Sequence, residues 1–407
     1  MKLTNTSKLR MHPLQKRQVN EEETIIGRPD KSEYIMLPTF AVEIIEMLDQ
    51  GQSITQVAEE MEKRFGEPVD VRDFALDLIN EYQFVYTVDG AVVNEKEIRV
   101  DHLPWISERV GKVLFNKFTF SFSIACFLSA VTLLLVHHEY FPVFTDIFSS
   151  ASLTASLLLA VVVNYLFLFI HETAHLTAVR SLGVGSRIGF SHRLFFPVAE
   201  TNMSDIVLVE PNKRYTAYLA GMAGDALFFS MGVWLLYAND VGVILLSDFL
   251  LSFIKLMNLN FLMALGFQFM FFMRTDIYYV FTTFFGCNNL FDNTQLFLRK
   301  FYRKWTPDEQ ETWDSVDMRE KKVIRWYSIF FLLGFCFALY FFFNFFLLQS
   351  IEIIRRITTD FLQYPILSWQ FVDGILLLLL TLLPFGIVIW SWNRQRKITR
   401  NVTRQVS

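Results

Sequence analysis

His171-Glu172-Thr173-Ala174-His175 places two imidazoles four residues apart near the end of an apolar run that begins around Ala151. On a helix this spacing puts both rings on one face, about one turn apart, where both can reach a single metal ion. The carboxylate of Glu172 projects to the side, within reach of a water attacking a substrate on that ion. Ionisable groups inside a membrane segment are costly, so a cluster of them points to function. The chemistry that suits these residue types is metal-assisted hydrolysis, with zinc as the ion, carried by a segment long enough to cross a bilayer.

The elements that must position this site are mostly apolar helices. The chain has 407 residues, 53% of them apolar, 16% aromatic (44 Phe) and only 19% charged. A soluble protein of this size carries more charge and fewer unbroken apolar stretches. Four apolar runs are clear, at 117–136, 151–175, 215–237 and 327–349, and two more lie at 244–272 and 373–392. Each exceeds or approaches the roughly 20 residues needed to span a membrane. The expected fold is therefore mainly α: a polytopic membrane helix bundle of about six spans, preceded by a small winged-helix-like α+β domain. Residues 277–324 are expected to be an amphipathic, cytosol-facing stretch. Its Phe281, Phe284, Phe285, Leu290 and Phe291 suit a re-entrant or interfacial helix.

Basic residues orient the bundle. Arg109, Lys112 and Lys117 precede the first span. Arg180, Arg187, Arg193, Lys213 and Arg214 fall between spans two and three, and Arg299, Lys300, Arg303, Lys304, Lys321 and Lys322 between four and five. The loops 138–150 and 238–243 have no Lys or Arg, and only Arg355 and Arg356 in the 350–372 loop break the alternation. Both termini are thus expected in the cytosol, with 393–407 as a basic tail carrying Arg394, Arg396, Lys397 and Arg400. The polar N-terminus carries no hydrophobic core, so no cleavable signal peptide is expected. Cys126, Cys287 and Cys336 are too far apart for a metal motif and suggest no disulfide framework.

A hydrolytic zinc takes three protein ligands and keeps a position for water. Candidates for the third are Asp276, Asp225 and His192. Spans two and four run in the same direction, which sets His171, His175 and Asp276 at one membrane depth and makes Asp276 the first choice. Asp225, with Gly221 and Gly224 nearby, reads as a bundle hydrogen-bonder or a substrate contact.

These motifs resemble the site-2-protease family of intramembrane zinc metallopeptidases, in the branch that carries a PqqD-like peptide-binding domain in front. The His-Glu-x-x-His helix matches in full, and Ala220-Gly221-Met222-Ala223-Gly224-Asp225 is similar to the family's next helix. Arg274, Asp276, Tyr278 and Tyr279 match its third-ligand motif, whereas Met270, Phe271 and Ile277 depart from it and Met222 replaces a proline. The resemblance implies that His171, His175 and Asp276 hold zinc while Glu172 moves the proton, with Arg274 and Tyr278 as supporting or substrate-contacting residues.

Ahead of the spans, residues 1–22 are polar and expected to be flexible. Residues 23–100 read as strands at Thr24–Arg28 and Glu33–Leu37, three amphipathic helices and a hairpin turning at Asp89-Gly90, followed by the peptidase domain over 101–392. Residues 53–85 look like the helix-turn-helix of a DNA binder but are rich in Glu and Asp, which would repel phosphate and favours a peptide over nucleic acid as the partner. The resemblance instead implies capture of a ribosomally made precursor peptide on residues 23–95. An extended leader would add a strand to a sheet edge, with Ile25, Ile26, Tyr34 and Ile35 shaping pockets. The expected function is a membrane metalloendopeptidase acting near the cytosolic face, beside a modifying enzyme or an exporter. The alternatives are regulated proteolysis of a membrane-anchored regulator and a non-catalytic export or immunity partner.

Overall fold

The computed structural model describes residues 3–97, 101–147, 153–193, 196–287 and 289–348, with shorter stretches between 350 and 390. The chain divides into two units, one of Met1–Lys112, Val179–Arg187 and Asn202–Arg214, the other of Val113–Ala178, Ile188–Thr201 and Tyr215–Ser407.

The first unit runs β1 (Leu9–Met11), β2 (Gln15–Gln18), β3 (Glu23–Arg28), β4 (Glu33–Pro38), α1 (Thr39–Asp49), α2 (Ile54–Phe65), α3 (Val71–Asn80), β5 (Val85–Val88) and β6 (Ala91–Val92). Local chemistry explains most of these boundaries. Ser53 and Gln56 form a capping box at the start of α2, and Gly66 ends it with a left-handed φ of 75°. The Asp70 side chain caps α3. Asp89 and Gly90, with φ of 50° and 83°, make the tight turn between β5 and β6. Val42, Ile45 and Leu48 of α1, Val57 and Met61 of α2, and Ala75 and Leu78 of α3 close over one core.

The expectation of a flexible 1–22 segment is corrected here. It supplies β1, which pairs antiparallel with β5 (Leu9 opposite Val88), and β2, which pairs with β3. Leu3, Leu9 and Met11 are buried in the core, and a three-residue strand is too short for its alternation to stand out in a polar sequence. Arg28 is also buried. It grips both oxygens of Asp30 at 3.1 and 2.6 Å and donates to the Gln83 carbonyl at 2.7 Å, tying the β3–β4 hairpin to the loop after α3.

Register divides the two faces of the β2-β3-β4 sheet. Ile26 lies opposite Ile35, and both turn toward the core, so they cannot form the peptide-facing pockets expected of them. Arg17, Ile25 and Met36 lie in register, on the other face, as does Tyr34. Two bonds on this face reach the 3-10 turn Ser204–Leu208: the Tyr34 hydroxyl donates to Asp205 Oδ1 at 3.0 Å, and Arg17 Nε donates to the Val207 carbonyl at 2.9 Å. Arg180 donates to the carbonyls of His102, Leu103 and Ile106, which anchors the linker before α4 (Glu108–Leu114).

The second unit is helical. It contains α5 (Lys117–Val136), α6 (Leu153–Ser181), the hairpin β7 (Arg187–Arg193) and β8 (Phe196–Asn202), α7 (Pro211–Tyr218), α8 (Ala220–Asp240), α9 (Asp248–Gln268), α10 (Asp276–Phe285), α11 (Leu290–Arg299), α12 (Pro307–Ser315) and α13 (Met318–Phe341), although the ends of some elements belong to the first unit. Five stretches among the described residues are long and apolar enough to cross a membrane: Lys117–Val136, Thr154–Ser181, Pro211–Asp240, Asp248–Gln268 and Met318–Tyr340. The expected sixth span, 373–392, lies partly outside the described residues, and its first part, 373–380, belongs to a shorter apolar helix, Trp369–Leu380. The basic tail 393–407 lies outside them altogether.

Helix α8 packs against α5 and α9 through Ala130, Leu134, Phe229, Val233 and Phe261. Gly232 permits the close approach of α9, since a Cβ there would sit 2.0 Å from Asn258 Oδ1. Asn164 of α6 donates to Asn260 of α9 at 3.3 Å, the interhelical bonding expected of polar residues in an apolar bundle. The stretch 277–324 forms α10, α11, α12 and the start of α13. Tyr278, Leu290, Ile324 and Tyr327 bury its apolar side in an aromatic cluster.

Candidate metal centre

The periodicity of α6 brings the His171 and His175 rings to one face, with Nε2 atoms 3.0 Å apart. The chain then leaves α9 through a 3-10 turn at Phe271–Met273, bends at Arg274 in a left-handed conformation (φ 57°), and starts α10 at Asp276. Asp276 Oδ2 lies 3.2 Å from His171 Nε2 and 3.1 Å from His175 Nε2. These three residues form a group whose ligand atoms all lie within 4.8 Å of one another.

The remaining ring nitrogens decide what the group can do. His175 Nδ1 lies 2.8 Å from the Ala217 carbonyl, which can only accept, so the proton sits on Nδ1. His171 Nδ1 lies 2.7 Å from Asp225 Oδ2 and is held as a donor in the same way. With both neutral rings in this tautomer, two Nε2 lone pairs and one carboxylate oxygen converge on a common point. Such an arrangement could hold a cation. Zinc bonds of about 2.0–2.1 Å at tetrahedral angles would set ligand atoms roughly 3.3 Å apart, close to the 3.0–3.2 Å separations here.

Backbone space is part of the site. A Cβ on Gly221 would lie 2.4 Å from His171 Cε1, 2.5 Å from His171 Nε2 and 2.6 Å from His175 Nε2, so only glycine lets α8 pass this close to the rings. At Gly224 the nearest atom would be Ala174 Cβ, at an ordinary 4.0 Å. Comparisons with protein-family models, curated proteins and solved structures find no match. The functional reading therefore rests on the residues themselves.

The other sequence candidates take distinct positions. Asp225 is buried and braces His171 from behind rather than joining the converging ligand atoms. Arg274 pairs with Asp292, 2.8 Å to each oxygen, and lies over the Phe291 ring at 4.1 Å. It thus fastens the turn before Asp276 to α11. Tyr278 is buried in the aromatic cluster, and its hydroxyl accepts from the Phe291 N–H at 3.0 Å, which ties α10 to α11. His192 lies on β7, and its side chain falls outside the described residues.

Two contributors escape sequence reasoning. Gln268, buried at the end of α9, accepts the Asp276 N–H on Oε1 at 3.0 Å and the Thr275 hydroxyl on its carbonyl at 2.7 Å. A polar residue closing an apolar span was the available signal. Thr201 on β8 donates to Glu172 Oε2 from its N–H at 2.7 Å, with its hydroxyl 2.8 Å from the same oxygen. Nothing in the local sequence marks it.

Proposed function

We propose that this chain is a membrane-embedded zinc peptidase. The observation that carries the reading is the pinning of both Nδ1 atoms, which turns two Nε2 lone pairs toward Asp276 Oδ2 with Glu172 next in the helix. His171, His175 and Asp276 would hold the ion. Bound there, zinc would polarise a scissile carbonyl and lower the pKa of water to about 7. Asp225 and the Ala217 carbonyl orient the imidazoles and raise their basicity as ligands. Glu172 takes a proton from the attacking water and delivers it to the leaving amine, the task of a positioned general base and acid.

The substrate class on this reading is a peptide, with a precursor's leader captured by the N-terminal domain. The β4 strand is an edge of the β2-β3-β4 sheet, which supports strand addition as the binding mode. Basic loops on alternate sides of the spans support cytosolic termini and cleavage near the cytosolic face. Such a peptidase would work beside the enzyme that modifies the precursor or the exporter that carries it.

The test is metal content and hydrolysis in the detergent-solubilised full chain. Zinc should approach one per chain and fall in His171→Ala and Asp276→Ala. Glu172→Gln should keep the zinc and lose cleavage. Full zinc in Asp276→Ala would move the third ligand elsewhere, and an active Glu172→Gln would remove the proposed base.

A further inference from the structure

In activated catalytic sites the general base is in turn oriented by a third group. Glu172 is buried, and one of its oxygens receives both donors of a single residue: the Thr201 N–H at 2.7 Å and the Thr201 hydroxyl at 2.8 Å. The hydroxyl also lies 2.9 Å from the Glu172 carbonyl oxygen, so its single proton is shared between side chain and backbone of the same residue. Thr201 is itself buried near the end of β8. Oε1 makes no hydrogen bond among the described residues. From this geometry we infer that Thr201 is the positioning residue of the peptidase reaction, holding Glu172 Oε2 so that Oε1 is the oxygen that exchanges protons with water and leaving amine.

The inference rests on the peptidase reading and goes further by giving the two oxygens of Glu172 separate duties. A carboxylate free to rotate about its terminal torsion offers either oxygen in many directions. The N–H bond, joined by the hydroxyl proton shared with the same oxygen, restricts that freedom before substrate arrives. Thr201 touches neither substrate nor metal in this role. Its hydroxyl is what matters, because the backbone N–H survives any side-chain change.

The experiment uses the full chain in detergent, loaded with zinc, with fluorescein-labelled casein as an unfolded probe substrate. Thr201→Val keeps the shape of the side chain and removes the hydroxyl. It should retain one zinc and the wild-type KM while kcat falls about tenfold, and Thr201→Ser should return kcat to within about twofold of wild type. Wild-type kcat in Thr201→Val, or a Thr201→Ser variant as slow as Thr201→Val, overturns the inference. Amide exchange at Thr201 supplies a readout that needs no activity: it should speed up about tenfold in Glu172→Ala. Unchanged exchange shows that no such clamp exists and also overturns the inference. Wild-type protein that binds zinc yet leaves casein intact counts against the peptidase reading, and the exchange result then decides the clamp by itself.

Discussion

Gly221→Ala offers the sharpest perturbation of the proposed metal centre, because it adds one methyl group and changes none of the proposed ligands. The new carbon would stand 2.4–2.6 Å from atoms of both imidazoles, about 1 Å inside ordinary contact. The rings cannot swing aside freely, since each is held at Nδ1 by a bond of 2.7 or 2.8 Å. Overpacking of this kind costs about 1–3 kcal/mol. Because the strain falls on the ligand-bearing rings, zinc affinity should drop roughly 5- to 150-fold. Gly224→Ala is the control: the same change three residues along α8 meets only Ala174 Cβ at 4.0 Å. It should bind zinc as wild type does, and with a slightly firmer helix, since alanine lowers the conformational cost of a helical position. Competition against a chromogenic zinc chelator measures both variants in detergent, with circular dichroism to verify helix content. Wild-type affinity in Gly221→Ala, or equal loss in Gly224→Ala, would refute the argument that α8 touches the ligand rings at residue 221.

Further outcomes follow from the same contacts. Asp225→Ala should leave His171 without its Nδ1 acceptor and weaken zinc about 10- to 100-fold by the same competition assay. Gly232→Ala should lower the thermal stability of the bundle by about 1–3 kcal/mol, because its Cβ would meet Asn258 Oδ1. Asn258 is buried with both amide atoms unpartnered among the described residues, so Asn258→Ala should cost little alone and should rescue Gly232→Ala. In the N-terminal unit, burial pushes the Asp30 carboxyl up but the paired Arg28 guanidinium outweighs it and holds it below its ordinary range. A carboxyl depressed by folding contributes stability above its unfolded pKa of about 4, and that contribution is lost as pH falls toward the folded value. Amide protection of β3 and β4 should therefore weaken on acidification below about pH 4 in wild type, whereas Asp30→Asn should be weaker at pH 7 and lack that acid-dependent step. Tyr34→Phe should raise exchange at Ile206 and Val209, whose turn loses its bond to Asp205.

Much of the chain's local structure was readable along the sequence because it depends on near neighbours. The capping box at Ser53, the left-handed stop at Gly66 and the Asp89-Gly90 turn are set by side chains within a few residues. The same holds for the shared face of His171 and His175, and hydropathy alone marked six apolar runs, five of which form helices long and apolar enough to cross a membrane. The limits of these elements shifted where charge and helicity part company: α13 begins at Met318, ahead of its apolar run, because charged residues there still continue the helix.

The contacts that packing alone sets lie between residues far apart in the chain. Periodicity could not say that Asp225 supports His171 from behind while Asp276 meets its other nitrogen, since those contacts span 54 and 105 residues. It could not pair Arg274 with Asp292, send Ile26 into the core, or join Leu9 to Val88. Nor could it bring Thr201 to Glu172 across 29 residues. The physical reason is that a helix or turn is specified by short-range sterics and hydrogen bonds, whereas the partner of a buried polar group is whatever the packing of other elements brings within about 3 Å. Residue types in this sequence suggested a chemistry, and the packing gave each polar side chain its neighbours.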